Sequence, residues 1–138
     1  MTVGFTIPLR CLLALVLWTI VLVAALTAAR FRHLGAGGSH RDFAIPDDRR
    51  LIWRLFRAHA NAVENLPLFA SAVLAAAVMG RTSSILDVLA VVYLVARVGQ
   101  SIVHVAPGAG IRFHVRFGFF VAQIASLAAF VVVLVTLR

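Results

Sequence analysis

Apolar and polar positions divide this chain into long blocks. Residues 11–29, CLLALVLWTIVLVAALTAA, run nineteen positions without a charge. Four apolar segments can be drawn, at about 9–30, 49–80, 84–105 and 113–137. The second starts polar and becomes apolar from Leu66 onward. The fourth contains FGFFVAQIASLAAFVVVLVTL. The runs are continuous rather than alternating, which excludes a membrane β-barrel. A segment that crosses lipid must satisfy its own backbone hydrogen bonds, so each run is predicted to be a helix. The expected fold is all-α, an integral membrane four-helix bundle that spans 1–138 as one domain. The first run exceeds a signal-peptide core of about 7–15 residues and reads as a transmembrane helix, not a cleaved leader.

The connections differ in kind. Residues 31–46, FRHLGAGGSHRDFAIP, form a long, polar, glycine-rich loop. Pro46, Asp47 and Asp48 are expected to open the second helix, because proline and acids suit a first turn. GRTSS at 80–84 predicts a tight turn, and APGAGI at 106–111 must break helix.

Composition supports the bilayer. Hydrophobic residues make up 62 % of the chain and charged residues 13 %, against about 45–50 % and 25 % in soluble domains. The net charge is +8, carried by thirteen arginines and no lysine. The absence of lysine suggests a GC-rich genome and a bacterial source. The arginines gather at the ends of apolar runs, which argues for topology signals and against nucleic-acid binding. Arg30, Arg32, Arg41, Arg49, Arg50, Arg54 and Arg57 surround the first connection, and Arg97, Arg112 and Arg116 flank the third. The positive-inside rule then places the first and third connections in the cytoplasm and both termini outside, as in a bacterial inner membrane. Cys11 is the single cysteine, so no internal disulfide can form. No histidine or cysteine spacing suits a metal.

The sharpest anomaly is RLFRAHANAVENLPLF at 54–69, a charge ladder within a membrane segment. On a helix, Arg54, Arg57, Asn61 and Glu64 share one face. Arg97, Gln100, Ser101 and His104 form a similar stripe on the third helix. A charge deep in a membrane helix costs about 2.5–3.5 kcal/mol, so these groups must pair, face a wet cavity or bind something. One reading is structural, with Arg57 and Glu64 as bundle glue and the outer arginines reaching to headgroups. The other is a ligand site. Glu64 is the one acid against Arg54, Arg57 and Arg97, and Arg112 adds to that surplus, which suits an anion. Pro67 removes one helix hydrogen bond and can bend the segment. Asp87 reads as an interfacial acid at a helix N-terminus, and Tyr93 and Trp18 as packing residues.

RAHANAVENLPLF at 57–69 resembles the signature of the MAPEG family, the membrane-associated proteins in eicosanoid and glutathione metabolism. The shared positions are Arg57, Ala58, His59, Asn61, Glu64, Pro67 and Phe69. ARVGQSIVH at 96–104, followed by an arginine after a short loop, is also similar to the family. The resemblance implies a homotrimer with glutathione bound between subunits near the cytoplasmic side. By the same resemblance, Arg57, Asn61 and Glu64 contact the peptide and His59 supports them. Gln100 and His104 contribute from the third helix, Arg97 on the same polar stripe is a further binding candidate, and Arg30 is a weaker candidate for the carboxylates. Arg112 takes the role of the catalytic arginine that stabilises the thiolate. The implied function is a glutathione- or other thiol-dependent transferase or peroxidase, with a small lipophilic electrophile as second substrate. The alternative is a non-enzymatic lipid-binding or scaffold trimer of the same fold. Gln100 and His104 stand where the eicosanoid synthases carry tyrosines, and Phe113 where one carries serine, which argues against eicosanoid synthesis. A small multidrug transporter, by resemblance, needs an acid in the first helix, and none is present.

Glutathione suits such a cluster: it is a net anion with one ammonium, and its thiol resembles free cysteine, with pKa about 8.5. A neighbouring guanidinium favours the thiolate, each pKa unit being worth about 1.4 kcal/mol.

Overall fold

A computed structural model describes the backbone of residues 4–107 and 112–136, and the side chains of 4–107 and 114–136. Four long helices follow one another: α1 (Ile7–Gly35), α2 (Leu51–Val78), α3 (Ser84–Val105) and α4 (Arg112–Thr136). A short 3-10 helix, η1 (His40–Ala44), lies between α1 and α2. No strand occurs among the described residues. All four long helices are long and apolar enough to cross a membrane. The chain is therefore an integral membrane helical bundle.

The helix ends follow from local chemistry. α1 outlasts the expected 30 and reaches Gly35. Arg32 and His33 in its last turn complement the C-terminal dipole. Gly37, at φ 86°, then ends it, with Gly37 N–H donating to Leu34 O at 3.0 Å and Gly38 N–H to His33 O at 3.0 Å. That pair of bonds needs a left-handed residue, which glycine supplies without a Cβ clash. α2 ends the same way at Gly80, φ 64°.

α2 starts at Leu51, later than the expected 49. The Asp47 carboxylate accepts Arg49 N–H at 2.9 Å. This local turn competes with helix and holds 47–49 outside it. α3 starts where expected, since the Ser83 hydroxyl accepts Leu86 N–H at 3.2 Å as an N-cap. α2 runs unbroken through Pro67.

The segment expected as a loop at 31–46 is largely ordered. The Ser39 hydroxyl accepts Arg41 N–H at 3.2 Å, and Asp42 Oδ2 accepts Ser39 N–H at 2.9 Å. His33 Nε2 meets Asp42 Oδ2 at 2.7 Å, and Arg50 donates to Asp42 O at 2.9 Å. The strap is thereby tied to the end of α1 and the start of α2.

The main core lies toward the arginine-poor end of the bundle. It joins Leu12 and Leu15 of α1, Phe69 and Val73 of α2, Leu86 and Tyr93 of α3, and Phe130 and Leu134 of α4. Phe69 and Tyr93 stack, with centroids 4.2 Å apart and planes 7° from parallel. The Tyr93 hydroxyl donates to Asn65 O at 3.3 Å. Tyr93 is thus a packing residue, as its sequence context predicts. A smaller cluster of Leu22, Ala58 and Ala62, with Trp18 and Val105 against it, carries the core toward the arginine-rich end. Alanines on this face of α2 let α1 approach closely, and α1 packs extensively on α2. α3 and α4 form the most extensive helix pair.

Candidate functional site

The predicted polar positions fall into two groups with opposite orientation. On α2, Arg57 and Glu64 are exposed and Asn61 is half-buried. The buried face of this helix is Leu55, Ala58, Ala62, Phe69, Val73 and Ala76, so the ladder lies beside the packed face. Neither Arg57 nor Glu64 makes a hydrogen bond or ion pair among the described residues, where the one salt bridge is His33–Asp42. Arg57 and Glu64 therefore do not bond each other among the described residues.

Arg54 leaves the ladder altogether. Its Nε donates to Val105 O at 2.9 Å, and its Nη1 donates to Asp48 O and Arg49 O, both at 2.8 Å. These carbonyls belong to the turn before α2 and to the end of α3. Arg54 is a clasp between the two, and its charge is spent on backbone dipoles.

On α3 the stripe turns inward. Arg97 is 1 % exposed. Its Nη1 donates to Gln100 Oε1 at 2.7 Å and to Gln123 Oε1 at 2.9 Å. Gln123, on α4, is 0 % exposed. Its Nε2 donates to Phe119 O at 3.0 Å, to Gln100 Oε1 at 3.1 Å and to Ala96 O at 3.4 Å. Gln100 Nε2 reaches Arg116 O at 3.4 Å. The Ser101 hydroxyl donates to Arg97 O at 3.0 Å. Arg97 Nε and Nη2 are buried and have no partner. Each such orphan donor costs about 1–3 kcal/mol.

The helices can approach this closely because Gly99 offers no side chain to α4. A Cβ there would stand 2.8 Å from the Phe119 ring. The ring fills the space instead, one turn before Gln123.

The two groups are electrically joined. His104 is half-buried, with Arg116 Nη1 3.5 Å from its Nδ1. A guanidinium only donates, so this long contact uses Nδ1 as acceptor. The charges of Arg116, Arg57, Asp48 and Arg97 all act on His104, and that of Glu64 acts on Arg97. Residues of α2, α3 and α4 thus meet at one level, near the arginine-rich end.

A model of the MAPEG family matches residues 9–136. The chain belongs to the MAPEG family. The match takes in all four helices and both polar stripes. MAPEG proteins include glutathione transferases and peroxidases as well as members without enzymatic activity. Searches of curated proteins and of solved structures return no match.

Within this MAPEG chain, the other candidates are placed as follows. His59 is half-buried and lies about 200° round α2 from Arg57, on the other flank of the packed face. Arg30 stands at the strap, its guanidinium 5.3 Å above the Phe43 ring, with a buried, unpartnered Nε. Among the described residues, no hydrogen bond or ion pair joins it to the α2–α3–α4 cluster. Arg112 opens α4, and its side chain lies outside the described residues, as does that of Phe113. Arg116, one turn further along the same helix, reaches His104.

Gln123 was missing from the sequence-derived candidates. Its signal was a lone amide within the apolar run FGFFVAQIASLAAF. An amide facing lipid would be unsatisfied, so such a residue turns toward a neighbouring helix. No metal-holding group of three or more ligands exists among the described residues.

Proposed function

We propose that this protein is a membrane-bound, thiol-dependent transferase or peroxidase acting on lipophilic electrophiles, with glutathione or a related small thiol as co-substrate. One observation carries the reading. Arg57 and Glu64 lie in a membrane-spanning helix, are exposed, and make no hydrogen bond or ion pair among the described residues. Charges in that position call for a polar partner from outside the chain. A peptide thiol meets the need with both signs of charge: carboxylates for Arg57 and an ammonium for Glu64, with Asn61 between them.

The reading places the ligand between subunits of a homotrimer, because the stripe lies beside the packed face and only a second subunit can close over it. Arg112, at the start of α4, is the proposed thiolate-stabilising residue, and Gln100 and His104 line the third-helix side. Arg30 is available to a carboxylate from the strap end. The arginine-rich end faces the cytoplasm under the positive-inside rule, where a soluble thiol is at hand. The electrophile arrives from the bilayer, against which Phe117, Phe120, Val121 and Ile124 of α4 lie exposed. The thiolate attacks the electrophilic atom and its leaving group departs. With a peroxide, one oxygen leaves as alcohol and the sulfenic intermediate needs a second thiol.

Glutathione is titrated into purified protein in detergent while thiolate ultraviolet absorbance is followed. Saturable absorbance is expected in wild type. It should be lost in Arg112→Ala, and Glu64→Gln should need about tenfold more thiol, which corresponds to about 1.4 kcal/mol. A second reading draws on the same outward stripe: Arg57 and Glu64 pair between copies in a non-enzymatic scaffold. In that case no thiolate signal develops, and Glu64→Gln lowers the thermal stability of the assembly.

A further inference from the structure

The strap between α1 and α2 is held at the bilayer surface. It starts after Gly35 and ends before Leu51, and the helices on either side of it are both membrane spans. The His33–Asp42 contact at 2.7 Å and the Arg50 bond to Asp42 O at 2.9 Å keep η1 against those helix ends. The strap is therefore not free to extend into water.

Its charges are sorted by sign. The acids are spent locally. Asp42 Oδ2 accepts Ser39 N–H and meets His33, and Asp47 Oδ1 accepts Arg49 N–H. The charge of Asp48 acts on His104. Two of the arginines are also taken up, Arg30 by the Phe43 ring and Arg50 by Asp42 O. Arg32, Arg41 and Arg49 remain. All three are exposed, and their guanidinium groups make no hydrogen bond or ion pair among the described residues.

Apolar side chains stand beside them. Phe31 adjoins Arg32, Ile45 follows η1, and Leu51 opens α2, and all three are exposed. In water this mixture gains nothing. At a lipid boundary the apolar groups enter the acyl region while the arginines stay at the phosphates. A zwitterionic headgroup brings its own cation and leaves the arginine charge uncancelled. An anionic headgroup cancels it.

We propose that the α1–α2 strap is a docking surface for anionic phospholipid, with Arg32, Arg41 and Arg49 as its phosphate contacts and Phe31, Ile45 and Leu51 as its apolar anchors. The inference stands apart from the thiol reading and does not need it.

Thermal unfolding of the purified protein in non-ionic detergent is followed with added phosphatidylglycerol or phosphatidylcholine. Phosphatidylglycerol should raise the unfolding temperature of wild type by about 3 °C, and phosphatidylcholine should not. Salt at about 0.5 M should remove the difference. The variant Arg32→Gln/Arg41→Gln/Arg49→Gln should unfold as wild type does in phosphatidylcholine and lose the response to phosphatidylglycerol. Arg10→Gln/Arg81→Gln, which removes charge from the arginine-poor end, should keep it. Arg41→Gln alone should need about fivefold more phosphatidylglycerol for half the response, and it reads the surface even if the triple variant does not fold.

Phosphatidylglycerol without effect on wild type overturns the proposal. So does a full response in the triple variant or in Arg41→Gln, which would place the lipid elsewhere. An equal loss in Arg10→Gln/Arg81→Gln overturns the strap as the surface and leaves only net charge. Soluble glycerol phosphate that matches phosphatidylglycerol overturns the lipid as partner, since the arginines would then hold a free phosphate.

Discussion

The polar stripes of α2 and α3 have similar residue types and similar spacing, yet the fold treats them in opposite ways. The α2 stripe leaves Arg57 and Glu64 exposed and without a hydrogen bond or ion pair among the described residues. The α3 stripe buries Arg97 and surrounds it with amides. Both carry arginine at membrane depth, where an unmatched charge is costly. Spacing alone does not distinguish an exposed stripe from one that its own chain buries and partly bonds. The difference comes from the neighbouring helices. α3 faces α4, which supplies Gln123. The α2 ladder lies beside the packed alanine face, where no described residue bonds Arg57 or Glu64.

The comparison can be broken most sharply at Arg97. Arg97→Ala removes a large buried side chain and strips Gln100 and Gln123 of their donor. We expect a loss of about 3 kcal/mol or more by thermal unfolding in detergent; a loss below about 1 kcal/mol would mean the network is not structural. Glu64→Gln should show the reverse profile. Its stability should stay within about 0.5 kcal/mol of wild type, as for a surface change, while thiol affinity falls about tenfold. Unfolding and titration on one preparation separate the two effects.

Gly99→Ala tests the contact that brings α4 to Arg97. The new methyl would meet the Phe119 ring. The ring is the far end of a half-buried side chain and can yield, so the expected cost is about 1 kcal/mol, the low end for overpacking. A neutral result in thermal unfolding would show that the α3–α4 spacing has slack.

The smallest effect belongs to the strap. The Asp42 carboxyl is held below its usual range, first by the Ser39 backbone N–H and then by the His33 side chain. A depressed carboxylate contributes stability that is present above its unfolded pKa and is lost as pH falls through the folded value. Hydrogen-exchange protection of residues 39–44 should therefore persist down to about pH 4, the ordinary carboxylate range, and decline below it. Protection that declines at higher pH would assign the strap to another group.

Much of this was legible in the sequence because the bilayer imposes it. Four long apolar runs can only be helices, and α3 has the limits that Ser83 and the following Pro107 set for it. The other helix ends depend on contacts that periodicity does not encode. α1 continues past Arg30 because its last turn is basic and glycine closes it. α2 starts late because the Asp47 side chain accepts a backbone N–H two residues on. In the cluster, the α2 ladder was visible as residues on one face. The direction of that face was not, and neither was the removal of Arg54 from it, which depends on carbonyls about fifty positions away at Val105. Gln123 stayed hidden because a lone amide in an apolar run reveals its purpose only once its neighbour is known.

The Arg54 clasp bears on how the sequence can change over time. One guanidinium spans three carbonyls drawn from two separate parts of the chain. An ammonium is a compact donor on a flexible stem and cannot hold that planar spread of bonds. A lysine here would let the start of α2 and the end of α3 drift apart, and with them the level at which the charges of Arg57 and Arg116 act on His104. At this position the preference for arginine is imposed by shape, whatever bias in the genome fills the other twelve cationic positions.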